Sequence, residues 1–425
     1  MDSAVSVSRS PQRGIGQSIQ SLGPGIMAAA AAVGGSHLVA STKAGAIYGW
    51  HLAALILLVN LFKYPFFRAG VQYTVGTGKS LVEGYANLGK PYLYAFFALC
   101  SISAVINTAA LLLFSASLLS YFIPFQLSIG LLSVLVLTTC LVILFAGQYK
   151  ALDGLSKLIM AVLTLSTLVA VAIAAGGSSA VVHTVETPSP WQLAAIGFIV
   201  VTMGWMPAPI EISSLSSMWL KTQNEHMDVT PKSALFDFNI GYITTALLAV
   251  VFLALGALVL NGTGTEIAQS GTGFTHQLIG LYASTIGEWS RYLIAVIAFF
   301  CIFGSTITVI DGYSRVLAES VRLFKKNPQH ISAERYFKPW MAVVSTLALG
   351  IILFWTSALL PMLNFAMIMA FITTPFFALL NYILVTRTPL PKALTMGVKL
   401  KSLAIIGLIY LFGFLALFIW WKWLM

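Results

Sequence analysis

Long apolar runs, separated by short polar segments, dominate the chain of 425 residues. A run of about 20 apolar residues is long enough to cross the hydrocarbon core of a bilayer as an α-helix. The pattern predicts eleven transmembrane helices, at residues 23–42, 46–66, 92–122, 127–147, 155–176, 191–219, 236–260, 288–314, 340–357, 359–385 and 402–424. The third and sixth runs are long enough to indicate a tilted or an interrupted helix. We therefore predict an all-α polytopic membrane protein.

Two of these runs contain residues that break a helix. The first run is interrupted by Gly34-Gly35-Ser36, with His37 directly afterwards, and the sixth contains Gly204-Trp205-Met206-Pro207-Ala208-Pro209-Ile210-Glu211. Each proline removes a helical hydrogen bond and clashes with the preceding turn. At bilayer depth, irregular backbone persists only where it is buried in protein or lines a cavity. Two broken apolar segments in corresponding halves of a chain point to the substrate site of a transporter.

Composition and charge agree with a membrane protein. The chain is 58% hydrophobic and 8% charged, whereas a soluble domain carries about 25% charged residues. With the N-terminus in the cytoplasm, the predicted helices place 20 of the 23 lysines and arginines on the inner side. This separation follows the positive-inside rule, so the net charge of +10 does not require a nucleic-acid partner. We predict a multi-pass protein of the cell membrane with a cytoplasmic N-terminus and an external C-terminus.

Two polar segments, 177–190 and 261–287, contain no lysine or arginine and are predicted to be external surface linkers. The first linker divides the helices into two groups of five that have opposite orientations in the membrane. The predicted organisation is a cytoplasmic tail (1–22), a first inverted repeat (23–176), a second inverted repeat (191–385) and an additional helix (402–424).

Within the second interruption, Glu211 is the strongest candidate for binding an ion. It is expected at the start of the second half-helix, where the positive end of the helix dipole stabilises a carboxylate. A role limited to capping that half-helix is the alternative. Met206 is either a thioether ligand or a packing residue, and the backbone at Ala208 lies in the same unwound stretch.

Around the first interruption, Gly34, Gly35 and Ser36 are predicted to present backbone groups at close range, because glycine permits close approach and unusual dihedral angles. Tight helix packing is the alternative explanation for these small residues. His37 could bind an ion, accept a transported proton or hydrogen-bond to unwound carbonyls.

Lys63, near the end of the second predicted helix, is expected to extend its ammonium group to the membrane surface. If it faces inward instead, it places a positive charge near the transport pathway.

Helix eight contains a group of hydroxyls, Ser305, Thr306 and Thr308, that are candidates for binding a coupling ion such as Na⁺. Hydrogen bonds back to helix carbonyls are the alternative role for these hydroxyls. Asp311 and Arg315 are four residues apart and are predicted to form an intrahelical ion pair.

No P-loop, HExxH motif, CxxC pair or nucleophile elbow occurs, and Cys100, Cys140 and Cys301 lie singly in apolar runs. We therefore predict that the protein is not an enzyme. We predict no metal site and no cofactor, and a bound Na⁺ is the one candidate ion that it would retain. The predicted partners are a small inorganic ion and the lipid bilayer, with a monomeric assembly.

Several motifs resemble the NRAMP (natural-resistance-associated macrophage protein) divalent-metal transporters. They are Gly23-Pro24-Gly25, Lys43-Ala44-Gly45-Ala46-Ile47-Tyr48-Gly49, Thr77-Gly78-Lys79-Ser80-Leu81-Val82-Glu83 and Met206-Pro207. The likeness is closer to divergent NRAMP-related prokaryotic proteins. It implies a LeuT-like fold of two inverted five-helix repeats, with the ion site between helices one and six.

The sequence departs from the family pattern at the implied metal ligands. The family's Asp-Pro-Gly-Asn run falls on Gly34, Gly35, Ser36 and His37, and the histidine of its Met-Pro-His run falls on Ala208. A divalent ion would then face one nearby carboxylate, which leaves positive charge uncompensated in a low-dielectric site. The sequence favours a small oxyanion such as bicarbonate, coupled to Na⁺ or H⁺. A divalent cation such as Mg²⁺ or Mn²⁺ is the alternative.

Overall fold

A computed structural model describes residues 32–125, 127–147, 149–176, 185–226, 230–354 and 359–425. Helices form nearly all of its regular structure. In chain order the α-helices are α1 (Thr42–Tyr48), α2 (Ala53–Thr77), α3 (Leu81–Leu88), α4 (Lys90–Ser120), α5 (Ile129–Phe145), α6 (Tyr149–Gly176), α7 (Ile196–Trp205), α8 (Ile212–His226), α9 (Pro231–Val259), α10 (Gly271–Ile286), α11 (Arg291–Phe324), α12 (Glu334–Phe354), α13 (Leu359–Arg387) and α14 (Val398–Trp423). A π-helical stretch, Ser36–Ser41, leads into α1.

The predicted all-α membrane fold is confirmed, although the count of eleven spans remains a prediction. Eight helical stretches within the described residues are long and apolar enough to cross a membrane, judged by length and composition. Two further apolar helical segments, Ile129–Phe145 and Leu193–Trp205, are shorter. The predicted tail, Gly23-Pro24-Gly25 and the start of the first helix lie outside the described residues.

Two long helices form the centre of the bundle. Of an apolar 18-residue stretch in each helix, 72% is buried inside the protein in α11 and 67% in α4, compared with 28% in α14. The two helices pack along each other, and α12 contacts both of them. Leu111 of α4 and Val309 of α11 line the space beside the interrupted segments, and α14 lies at the periphery.

Close helix crossings hold the interrupted segments in place. A Cβ atom added at Gly45 in α1 would lie 1.9 Å from the carbonyl oxygen of Leu253 in α9, and one at Gly256 would lie 2.1 Å from that of Thr42. At Gly204 in α7 a Cβ would lie 1.9 Å from the carbonyl oxygen of Met367 in α13. Small residues allow helix backbones to approach closely in membranes.

The sequence predicted segment 261–287 to be a plain surface linker, and this prediction is wrong. It contains α10, whose Phe274, Leu278 and Tyr282 are buried. These residues recur at helical spacing among polar ones, which is the pattern of an amphipathic helix covering one end of the bundle. Of the other predicted linker, residues 177–184 lie outside the described residues, and the amide of Val185 donates to the carbonyl of Gly262.

The second predicted helix also begins later than expected, at Ala53 instead of residue 46. Gly49 ends α1 with a positive φ of 57°, and a short 3₁₀ turn, Gly49–Leu52, follows. Glycine adopts positive φ without the steric penalty of a side chain, so the apolar pattern continues through a bend that hydropathy does not detect.

Candidate ion-binding site

The sixth predicted span is broken where the two prolines lie. α7 ends at Trp205, Met206 is extended, and α8 begins at Ile212 with Glu211 immediately before it. The predicted interruption is therefore present, and Glu211 lies beside the positive end of the dipole of α8.

The first span is interrupted differently from the prediction. The chain turns at Val33 and Gly34 and then widens into the π-helical stretch Ser36–Ser41 instead of unwinding. Such π-helical turns change the hydrogen-bond ladder and are frequent at functional sites. The hydroxyl of Ser36 donates to the carbonyl of Ala32, before the turn.

A cavity of about 380 Å³ lies between the two interruptions. Its walls are formed by Ala32, Gly35, Ser36, Asn107, Leu111, Trp205, Pro207, Ala208, Pro209, Ile212, Val309 and Tyr313. Of the predicted site residues, the structure thus brings together Gly35, Ser36 and Ala208 around one space.

A chain of hydrogen bonds runs along one wall of this cavity. The indole Nε1 of Trp205 donates to Oδ1 of Asn107 at 3.0 Å, and Nδ2 of Asn107 donates to the hydroxyl of Tyr313 at 3.0 Å. That hydroxyl donates to Oε1 of Glu211 at 3.2 Å, and Asn107 Nδ2 lies 3.5 Å from the same oxygen. Glu211 is fully buried behind this wall. Sequence reasoning did not select Asn107, Trp205 and Tyr313 as site residues.

Lys63 contradicts the expectation that it reaches the membrane surface. Its side chain is 0% exposed, and Nζ donates to the carbonyls of Met203 at 2.8 Å, Gly204 at 3.2 Å and Ala208 at 3.4 Å. The helix break frees carbonyls at membrane depth, and an unsatisfied carbonyl there costs several kcal/mol. Because an ammonium has three donors and no acceptor, three carbonyl partners match the charged form. Lys63 therefore does not belong to the set of basic residues at the inner surface.

His37 is fully buried and oriented toward α9. Its Nε2 lies 2.9 Å from the carbonyl oxygen of Thr245, its Nδ1 lies 3.1 Å from that of Ala32, and its ring meets Phe252 edge to face. The imidazole is not among the groups that line the cavity. In this conformation it connects the first interruption to α9.

Met206 and Gly34 also lie beside the cavity without lining it. The hydroxyl of Ser41 donates to the Sδ of Met206 at 3.9 Å. A Cβ at Gly34 would lie 2.5 Å from Oγ of Ser305. The absence of a side chain at Gly34 therefore allows α11 to pack closely against this turn.

The candidate coupling-ion hydroxyls in α11 have hydrogen-bond partners inside the helix. Ser305 donates to the carbonyl of Cys301 at 3.1 Å, and Thr306 donates to that of Ile302 at 2.8 Å. Thr308 is partly exposed. One turn later, Arg315 Nε lies 2.7 Å from Oδ2 of Asp311, which confirms the predicted ion pair.

A second cavity, of about 640 Å³, shares Ala32, Pro207, Ala208 and Ile212 with the first. It extends between α2, α8 and α9 toward the ends of these helices at Thr77, His226 and Pro231. The two cavities are therefore neighbours, and the larger one reaches toward one end of the bundle.

The donor set of the site is poor in metal ligands. Across the described ranges, no group of three or more histidine, cysteine, aspartate and glutamate side chains is placed to hold a metal ion. Transition metals prefer imidazole, thiolate or thioether, and carboxylate ligands in defined geometries. The cavity presents hydroxyl, amide and indole groups instead.

Comparisons with known proteins agree with this architecture. The family model described as natural resistance-associated macrophage protein-like matches residues 25–421. An uncharacterized protein of Pasteurella multocida (strain Pm70) is 50% identical over 401 residues, which cover 94% of this chain and 91% of that protein.

Solved structures share the fold at low sequence identity. A manganese transporter of Eremococcus coleocola superposes with a TM-score of 0.68 at 13% identity, covering 97% of this chain and 89% of its own. A nucleobase-cation-symport-1 family transporter superposes with a TM-score of 0.60 at 14% identity, covering 94% of this chain and 92% of its own. These matches confirm the LeuT-like fold. The chain, through its match over nearly its whole length, belongs to the NRAMP family of secondary membrane transporters.

Proposed function

We propose that this transporter moves a small inorganic oxyanion, with bicarbonate as the best candidate, by alternating access. The observation that carries this proposal is the ammonium of Lys63, which binds three carbonyls at the break between α7 and α8. In this chain a resident positive charge already satisfies the backbone that a bound cation would otherwise contact.

Charge balance disfavours a divalent cation in the same space. Lys63 contributes one positive charge and Glu211 one negative charge, so a divalent ion would leave a net charge of about +2 in a buried region.

The cavity wall contains polar groups that a small oxyanion can recruit, and in this conformation their donors hydrogen-bond to protein acceptors. The hydroxyls of Ser36 and Tyr313, the amide of Asn107 and the indole of Trp205 belong to residues in its wall. The first turn of α8 begins at the cavity with Ile212, so the positive end of its helix dipole lies at this space. Hydrogen bonds from fixed neutral donors can replace part of the hydration shell of such an anion.

A divalent cation such as Mg²⁺ or Mn²⁺ is the second candidate. It is favoured by the likeness of the fold to the Eremococcus coleocola manganese transporter. Both candidates use the same alternating-access architecture, so they differ in the charge of the passenger and not in the path.

We further propose the topology that the basic residues predict. The protein lies in the cell membrane as a monomer, with its N-terminus in the cytoplasm and its C-terminus outside. The two halves, 23–176 and 191–385, then act as inverted repeats. In this orientation the larger cavity leads from the site toward the cytoplasm, as in an inward-facing state.

A counterflow assay in proteoliposomes tests the proposed substrate without a need for any coupling gradient. Vesicles are loaded with unlabelled ion, and exchange for external labelled bicarbonate, nitrate, Mn²⁺ or Mg²⁺ is measured. We expect exchange of bicarbonate and none of either metal. Exchange of Mn²⁺ or Mg²⁺ without exchange of an anion would establish the divalent alternative instead. Vesicles without protein correct for diffusion of carbon dioxide.

A further inference from the structure

Glu211 lies directly behind the wall of the ion cavity and is linked to it by hydrogen bonds. Tyr313 and Asn107 line the cavity and also contact Oε1 of Glu211. The other carboxylate oxygen, Oε2, is buried and has no hydrogen-bond partner within the described ranges. A buried acceptor without a partner is costly, which indicates that this oxygen receives a ligand during the transport cycle.

The tyrosine hydroxyl accepts from Asn107 and donates to Oε1 of Glu211. With Glu211 ionised and Lys63 protonated, the charges of the two side chains cancel. Lys63 carries the opposite charge and lies close enough to interact with Glu211 electrostatically. Among the described residues, the thiol of Cys100 on α4 and the phenol of Tyr313 on α11 also interact with Glu211 electrostatically, and both are neutral in their ordinary forms.

Entry of an anion disturbs this balance in two ways. It adds a negative charge to a buried region, where an uncompensated charge is strongly unfavourable. It also competes for Asn107 and Tyr313, because their hydrogen-bond donors serve both the cavity and Glu211. Both effects favour a cation on the carboxylate when the anion is bound.

We propose, on the basis of the proposed anion transport, that Glu211 binds one monovalent cation, Na⁺ or H⁺, together with each monovalent anion. The loaded and empty states then carry the same net charge, so transport is electroneutral. Oε2 is the atom that receives the cation, and the hydroxyl of Ser103, which hydrogen-bonds to the Glu211 carboxyl, supplies a further oxygen beside it. The site is distinct from the hydroxyls of Ser305 and Thr306, which donate within α11.

Electrical measurements on proteoliposomes test this coupling directly. Bicarbonate uptake by the wild-type protein is measured at different membrane potentials set by a potassium gradient and valinomycin. We expect uptake that produces no current and does not respond to the potential. Radioactive Na⁺ entering with bicarbonate identifies Na⁺ as the cation, and electroneutral uptake in the absence of Na⁺ identifies the proton.

The variant Glu211→Gln removes the charge and retains the shape of the side chain. We expect this variant to lose dependence on Na⁺ or on pH, and the bicarbonate uptake that it retains should respond to the potential. Its empty site has a net charge of +1 while its anion-loaded site is neutral, so an inside-positive potential should accelerate uptake. Glu288→Gln is the matched control, because Glu288 is exposed and paired with Arg291, and it should behave as wild type.

The possible results test the cation coupling and the choice of substrate separately. Absence of anion counterflow in the wild-type protein would reject the proposed function. Counterflow combined with a current during wild-type uptake would overturn the coupling alone, even if the glutamine variant does not fold. A Glu211→Gln variant that remains electroneutral and cation-dependent would overturn the assignment of the cation to Glu211.

Discussion

At the scale of single residues, the buried ammonium of Lys63 explains how a broken helix is tolerated at membrane depth. The two prolines interrupt the hydrogen-bond ladder of the sixth span, and one side chain from α2 contacts three carbonyls around the break. Hydrogen bonds that involve a charged group are stronger than neutral ones. Lys63 therefore stabilises the break and sets the charge of the site.

Replacing Lys63 with methionine tests this role. The substitution keeps an unbranched apolar side chain of similar length and leaves the carbonyls without their donor. With about 1–3 kcal/mol for each buried group left unsatisfied, we expect a large fall in the unfolding temperature in detergent and loss of anion counterflow.

Lys422→Met is the control for that experiment, since Lys422 lies exposed in the last turn of α14. It should retain the wild-type unfolding temperature and counterflow. A Lys63→Met protein with unchanged stability and transport would show that the carbonyls do not depend on the ammonium.

The predictability of the site differs from residue to residue. Pro207, Pro209 and Glu211 are neighbours in sequence, so local rules located the break and its carboxylate. The role of Lys63 depends on carbonyls about 140 residues away, and Asn107 and Tyr313 meet Glu211 from two other helices. Hydropathy detects none of these contacts. The sequence feature that came closest to indicating these contacts was the amide of Asn107, which is isolated in an otherwise apolar helix.

At the scale of helices, glycines determine how closely α1 approaches α9. The carbonyl of Leu253 occupies the space that a side chain at Gly45 would need. This crossing carries the π-helical stretch and its histidine, so it positions one side of the ion cavity.

A pair of glycine substitutions tests the crossing. Gly45→Ala would place a Cβ 1.9 Å from the backbone of α9, so the helices must separate at a cost of about 1–3 kcal/mol or more. Gly350→Ala is the control, because nothing lies within 4 Å of its Cβ position in α12. It should stabilise the helix by about 0.5–1 kcal/mol. Thermal unfolding in detergent distinguishes the two, and equal effects would contradict the close crossing.

An ionic cluster outside the membrane spans connects α3, α8 and α11. Glu83 completes a capping box with Ser80, pairs with Lys221 at 2.9 Å, and lies 3.9 Å from Arg322. Burial acts to raise the pKa of Glu83, but hydrogen bonds from Ser80 and Lys221 more than offset it, so the pKa lies below its ordinary value of 4.5.

This shift predicts a pH-dependent contribution to stability. A carboxyl whose folded pKa is depressed stabilises the protein above its unfolded pKa, and the contribution is lost as the pH falls through the folded value. We expect Glu83→Gln to unfold at a lower temperature than wild type at pH 7, with the difference disappearing at acidic pH below 4.5. Glu266→Gln, at an exposed position, should show no such trend. A difference that persists in acid would contradict the ion-pair explanation.

At the scale of the whole molecule, the sequence predicted the membrane class and the transporter fold, because both follow from hydropathy and motif spacing. It missed α10, since an amphipathic helix outside the spans resembles a polar linker in a hydropathy profile. It also could not predict that two cavities border Ala208. Cavities depend on side chains from many helices and not on any local pattern.

The two neighbouring cavities lie between the interrupted helices and one end of the bundle. Ala208 lies in the walls of both spaces. The native cysteines Cys100, Cys140 and Cys301 are buried, so a new cysteine at this position can be labelled with little background. A passenger bound between the helices must cover it.

The most direct test of the central claim is therefore the labelling rate of Ala208→Cys by a water-soluble thiol reagent, measured with and without ions. We predict that the cysteine reacts, that bicarbonate slows the reaction in a saturable manner, and that Mn²⁺ and Mg²⁺ have no effect. Saturable protection by Mn²⁺ or Mg²⁺ but not by bicarbonate would contradict the anion assignment. A reactive cysteine that no ion protects would contradict the placement of the site between the two broken helices.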